Sequence, residues 1–268
     1  MHEVNPIPMT FRLISAVALV ILLVPVLVVV MAGLNSGDFL TFPPEGVSLR
    51  WVISFFQSNI FLPAFGVSFG LALLTTLIST VLGTMTAIFL TRSKSRVKEL
   101  VRGIIILPVV LPGVVLGLAL YIFYVWTGVG LARSYWGLLI GHVLVTLPFI
   151  VATITASLVD FDLSVEEAAR SLGATPWQAF RKVTLPLIAP GISAGTIFAF
   201  IISFGQFELT LFLSTPDIQT LPIAIYTSLR YAFEPTAAAA GIFAIALVIT
   251  STLVASRLVN IKNLLNRR

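Results

Sequence analysis

Between Arg50 and Arg92, forty-one consecutive residues pass without an Asp, Glu, Lys or Arg. About 20 apolar residues suffice to cross the hydrocarbon core of a bilayer as a helix. A backbone in lipid must also satisfy its own polar groups, which helices do within one segment. Similar charge-free runs recur along the chain, and only 10% of its residues are charged, against roughly 25% in soluble domains. The chain therefore reads as an all-α, polytopic membrane protein with six transmembrane helices.

The spans are placed at Leu13 to Leu34, Ala64 to Leu90, Gly103 to Thr127, Gly137 to Leu158, Ile192 to Leu213 and Pro235 to Ser256. A signal peptide is the alternative for the first, but its apolar region usually covers about 7 to 15 residues, so a retained span is expected. This divides the chain into a polar N-terminal lead, residues 1–12, a transmembrane domain, 13–258, and a basic tail, 259–268. Within that domain residues 159–190 form a polar loop between spans four and five. Trp51 to Phe61 are expected to lie along the outer interface, and Thr215 to Tyr231 to form an outer loop.

Charge sets the orientation. Thirteen Lys and Arg fall on one side of this arrangement and three, Arg50, Arg133 and Arg230, on the other; short loops rich in Lys and Arg stay in the cytoplasm. Both termini and the 159–190 loop are thus expected inside. The net charge of +5 lies in short clusters beside apolar spans rather than along one face, so it reports topology and not nucleic-acid binding.

Small residues enrich the second span at Gly66, Gly70, Thr75, Thr76, Ser79, Thr80 and Gly83. Small residues let helices approach closely in lipid, so ordinary packing is their expected role. Pro108, Pro112 and Gly113 interrupt the third span; either a proline kink or a broken helix lining a path satisfies that pattern. His142 lies in the fourth span, where a bond to a neighbouring helix is expected ahead of a ligand or pH-sensing role. Glu208 is the carboxylate within the fifth apolar run. A charge there costs about 2.5 to 3.5 kcal/mol at mid-membrane, so it should face protein or water, with Arg230 a possible partner.

The loop itself carries helix start and stop signals. Ser164 precedes Glu167 at capping-box spacing, which predicts a short helix beginning near Val165, and Gly173 is placed to close it in the left-handed conformation. Thr175, Pro176 and Gln178 repeat the start signal for a second short helix to about Val183, closed by Pro186 and Pro190.

Glu167-Ala168-Ala169, three residues, Gly173, nine residues, then Val183-Thr184-Leu185-Pro186 resembles the EAA motif of the membrane subunits of ATP-binding cassette importers. The runs at Ile106 to Leu120, Gly141 to Val151 and Ser203 to Ala239 are similar to the spermidine/putrescine branch of these type I permeases, in particular its second membrane subunit. The resemblance implies that Glu167, Ala168, Ala169, Leu172, Gly173, Leu185 and Pro186 form the coupling loop against an ATPase subunit. It implies two ATPase copies holding ATP and Mg, a second permease subunit, an extracytoplasmic solute-binding protein, and residence in a bacterial inner membrane. Glu208, Gln206 and Ser203 are the candidates to line the solute path, and a carboxylate there suits a cation such as a polyamine. Related permeases carry iron, thiamine or opines, which stay open as solutes.

Other chemistry is absent from the sequence. There is no GxxxxGK[ST] phosphate loop and no HExxH; cysteine is lacking and the histidines, His2 and His142, are far apart. No catalytic residue, metal ligand set or bound cofactor is therefore expected in this chain. A secondary transporter or channel is the alternative class, but such proteins usually place several ionisable groups at mid-membrane, and here Glu208 stands almost alone.

Overall fold

The computed structural model describes residues 9–159, 162–231 and 234–265; His2, Asp160, Arg267 and Arg268 lie outside the described residues. Helices account for most of it, and among the described residues extended pairing is confined to the isolated bridges Asn35–Val47 and Thr215–Ile218. The helices divide between two compact units, residues 1–62 with 224–247 and residues 63–223 with 248–268.

In the first unit, α1 (Met9–Gly33) carries Arg12 in its first turn, is apolar beyond Ser15 and is almost wholly exposed, as a lipid-facing helix should be. Asn35 organises the following turn from a fully buried position: its amide donates to the Phe39 carbonyl at 3.0 Å, and its Oδ1 accepts from the Gly37 and Glu45 amides. Arg50 pairs with Asp38, and its guanidinium lies 4.2 Å over the Trp51 ring. The segment expected along the interface contains a short helix, α2 (Arg50–Gln57). Phe55 of α2 stacks on Phe243, with centroids 4.3 Å apart, and a Cβ on Gly33 would lie 2.9 Å from the Ala239 backbone nitrogen.

The second unit contains α3 (Phe61–Arg92) from Pro63 on, α4 (Val97–Val110), α5 (Gly113–Thr127), α6 (Tyr135–Val159), α7 (Leu163–Ser171), α8 (Pro176–Ala179), α9 (Leu185–Leu187), α10 (Ala189–Gly205) and α11 (Thr210–Leu213). A π-helical turn, Phe180–Thr184, joins α8 to α9. The segment after α11, expected as an outer loop, contains α12 (Leu221–Tyr231), and α13 (Thr236–Leu265) runs beyond the expected end of the last span. Among the described residues four helices are long and apolar enough to cross a membrane, and up to six spans result if each of two bent pairs counts as one.

Those bends are where the sequence breaks the helical ladder. α4 and α5 meet at 111°. Pro112 drives Leu111 out of the helical region to ψ 136°, as a residue preceding proline is driven, so the third span is a broken helix and not a kinked one. The α8 to α9 stretch meets α10 at 65°. Here the expectation that Pro186 ends the second loop helix is corrected, because the chain stays helical through Leu187. A proline ring clashes with the carbonyl four residues back; the wider π turn, in which the Leu185 amide donates to the Phe180 carbonyl, accommodates it.

Glycines set the helix contacts around α6. A Cβ on Gly191 would lie 2.8 Å from the Thr153 carbonyl oxygen, and one on Gly195 3.1 Å from the Ile150 Cα. These residues are one turn apart on α10, the spacing that brings membrane helices close. In α3, Gly83 packs on Ile150 of α6, Ser79 bonds Thr146 at 2.8 Å and Thr80 bonds Thr196 at 3.1 Å. Gly66 and Gly70 face open space instead. Among the described residues apolar clusters form around Leu138, Leu209 and Leu213 and around Ile150, Ile154 and Ile188.

Candidate functional site: a clamped loop helix and a broken span

The loop helix α7 starts two residues before the expected point. Asp162, in an extended conformation, is its N-cap, accepting from the Ser164 amide at 2.9 Å. Ser164 therefore caps nothing and the Ser164–Glu167 box does not form; a carboxylate two residues upstream makes the same bond with full charge. The Ser164 amide and hydroxyl hold the Asp162 carboxyl below its ordinary range. At the other end Gly173 has φ +93°. Its amide donates to Arg170 and that of Ala174 to Ala169, at 3.0 and 3.1 Å, the paired bonds of a Schellman closure. The next start signal forms as read, with Thr175 and Gln178 exchanging bonds of 3.2 and 2.9 Å.

The residue that ties α7 down is Glu166, which the motif does not include. Its carboxylate takes both guanidinium nitrogens of Arg92, at 3.2 and 2.6 Å, and the Thr184 hydroxyl at 2.5 Å. Arg92 ends α3, and its Nη2 also reaches Thr184 at 3.3 Å. Burial alone would raise the Glu166 pKa, but the Thr184 hydroxyl and the Arg92 guanidinium outweigh it and hold the carboxyl below its usual range. Glu167, Ala168 and Leu172 turn outward, with Leu172 90% exposed, while Ala169 is half-buried. Of the later motif residues Leu185 is half-buried and Pro186 exposed. Sequence reasoning missed Arg92, Glu166 and Thr184 as a unit; the one signal available is that Arg92 is the first charge after the long neutral run.

Of the path candidates, Gln206 and Glu208 lie in an unwound segment, whereas Ser203 is still in the last turn of α10. The fifth apolar run splits at 206–209 between α10 and α11, so Glu208 is exposed rather than embedded in a continuous span. Its neighbour is α5: a Cβ on Gly113 would lie 3.0 Å from the Glu208 Cβ and overlap its carboxylate. One turn on, a Cβ on Gly117 would lie 2.9 Å from the Leu209 Cα, and one on Gly141 of α6 2.8 Å from the Leu209 Cδ2. The break in the third span thus meets the break in the fifth across glycines. Arg230 is taken up by Tyr226, whose hydroxyl it meets at 2.7 Å, and among the described residues Glu208 has no ion pair. Gln206 is half-buried, whereas Ser203 is buried and bonded to His142 at 2.9 Å.

A fold of bent apolar helices around a polar loop, its amphipathic helix clamped on one side and bare on the other, defines the class. The chain belongs to the family of inner membrane components of binding-protein-dependent transport systems, whose model matches residues 79–262. Among relatives, it is 32% identical over 131 residues to the spermidine/putrescine transport system permease protein PotC of Escherichia coli, covering 47% of this chain and 50% of that protein. It is 37% identical over 142 residues to the molybdenum transport system permease protein ModB of the same species, covering 52% and 62%. The matched segments thus span between half and two thirds of these relatives. In structure it resembles a subunit of a bacterial transporter that imports the acidic polysaccharide alginate, with TM-score 0.72, 20% identity and coverage of 92% and 94%. A second likeness is to the MetNI methionine transporter in an inward-facing conformation, with TM-score 0.64, 19% identity and coverage of 76% and 96%.

Proposed function

We propose that this chain is the solute-conducting membrane subunit of an ATP-driven importer, and that α7 is the helix through which an ATPase partner moves it. The observation that carries this reading is the two-sidedness of α7. Glu166 fixes one side to α3 through Arg92, while Glu167, Ala168 and Leu172 stand bare on the other. A short helix capped at both ends moves as a rigid piece, and a push on its bare side reaches α3 through the ion pair. The ATPase supplies ATP and Mg chemistry; this chain supplies only shape. Two such ATPases, a second permease subunit and an external solute-binding protein complete the assembly, with both termini of this chain on the ATPase side of the inner membrane. ATP binding drives the transport cycle only by favouring one arrangement over the other.

The solute best suited to the broken-span region is a small cation, with polyamines the leading class. Glu208 presents an exposed carboxylate where both spans unwind, which attracts a diammonium or triammonium ion and repels an oxyanion such as molybdate. PotC, named for spermidine and putrescine, is among the relatives on which this reading draws.

Affinity purification of the wild type and of Leu172→Asp in mild detergent tests the coupling assignment. An ATP-binding cassette subunit that accompanies the wild type and is lost from the variant supports it; a wild type that captures no ATPase sinks it. Uptake of labelled putrescine and of molybdate by the reconstituted assembly tests the solute. Glu208→Gln should weaken putrescine affinity by about tenfold, roughly 1.4 kcal/mol. Putrescine affinity unchanged by that substitution, or uptake of molybdate in place of putrescine by the wild type, overturns the cation reading.

A further inference from the structure

Unwinding residues 206–209 frees backbone groups that a continuous helix would have paired, and the side chains that serve this break converge on His142. The Thr210 hydroxyl donates to the Gln206 carbonyl at 2.9 Å. Its single hydrogen is thereby committed, so toward His142 Nε2, 3.0 Å away, the Thr210 oxygen only accepts. The imidazole must then carry its proton on Nε2. In the neutral ring this leaves Nδ1 bare, and it accepts from the Ser203 hydroxyl at 2.9 Å. Ser203 is in the last turn of α10 and Thr210 begins α11, so one ring bridges the two ends of the break.

The backbone of His142 is engaged as well. Thr146, one turn further along α6, donates to the His142 carbonyl at 2.9 Å and is joined at 2.8 Å by Ser79 of α3. Ser79, His142, Thr146 and Thr210 have no exposed surface, and Ser203 has 2%. A buried polar chain in which each member is matched rigidifies its surroundings.

We infer that His142 is a positioning residue of the transport path: as the neutral Nε2–H tautomer it fixes the geometry of the unwound segment and so the place of Glu208 and Gln206. The transport consequence rests on the reading of Glu208 given above, whereas the geometry of the break does not. The wedge of Leu209 between Gly117 and Gly141 sets how far the segment enters; His142 sets how its two ends are held.

The sequence has no cysteine, so a single spin label can be placed without prior changes. Gly205→Cys puts it at the edge of the break and Gly103→Cys on α4 as reference; a Cβ at either position meets nothing within 4 Å. The full chain is reconstituted in lipid with no solute present. His142→Ala and Thr210→Val should each shorten the label's correlation time at 205 by about twofold or more, on the nanosecond scale of loop motion, and leave the label at 103 unchanged. His142→Gln places an amide nitrogen near the former Nε2 and should recover much of the order. An unaltered label at 205 in both His142→Ala and Thr210→Val overturns the proposal. Equal loosening at both labels also overturns it, since His142 would then be a general packing residue. If the labels respond as expected while Glu208→Gln transports normally, the positioning of the break stands and the path reading of Glu208 fails.

Discussion

Two polar networks tie helices together in the unit spanning residues 63–223, and they are built from opposite chemistry. The one at the loop end is ionic: Arg92, Glu166 and Thr184, with the two charged side chains still 29% and 14% exposed. The one between α6, α10 and α11 is neutral: Ser203, His142 and Thr210, with at most 2% exposure. Where water reaches, a bidentate arginine and carboxylate hold strongly without the full penalty of desolvation. Among apolar spans a charge is costly, and an imidazole between hydroxyls gives direction without one. The difference divides the labour. The ionic clamp suits a joint that transmits movement at a wet edge, and the neutral bridge suits a fixed point within the packing.

The comparison breaks most visibly at His142. His142→Ala strands two buried hydroxyls, at about 1 to 3 kcal/mol each, and leaves a cavity. The expected loss is several kcal/mol, read as the largest fall in Tm of any single change considered for this unit. Arg92→Ala should come next, at about 2 kcal/mol, less than the roughly 3 to 5 kcal/mol of a fully buried broken pair because water reaches Glu166. Pairing Arg92→Glu with Glu166→Arg should restore part of that stability, which identical melting of the single and double variants would contradict. Gly173→Ala forces a side chain to φ +93° and should cost about 1 kcal/mol, seen as faster proteolysis near residues 172–175 with Tm nearly unchanged.

The smallest effect is in pH. The folded Glu166 carboxyl titrates below its ordinary value of 4.5, so its contribution is fully present above that pH and is lost as pH falls through the lower folded value. Protease resistance of the loop should therefore hold at neutral pH and decline as the pH falls below the ordinary carboxyl value. Glu166→Gln should remove that acid step, and an identical pH profile in wild type and variant would count against the clamp.

Much of the loop was legible in the sequence because its signals are local. Thr175 and Gln178 cap one another across three residues, and Gly173 closes α7 through bonds that span no more than five. The start of α7 was misread for a local reason too: two acceptors, Asp162 and Ser164, competed for one helix end, and the charged one prevailed. The prolines at 108 and 112 announced an interruption without its angle. Pro186 announced a stop that a π turn absorbed, since widening a turn leaves no mark in residue types.

By itself the sequence determined what depends on composition and near neighbours: an all-α membrane chain, apolar runs sufficient for six spans, a polar loop between the fourth and fifth, and most of that loop's helix ends. Only the tertiary structure decided which polar residues meet. Arg92 finds Glu166 across 74 positions, and His142 reaches Ser203 and Thr210 across 61 and 68. Glu208 left its expected helix because glycines on α5 and α6 admit an unwound segment between two breaks. Periodicity and capping act over a few residues, whereas these pairings follow from how whole helices pack, and no short stretch of sequence encodes that.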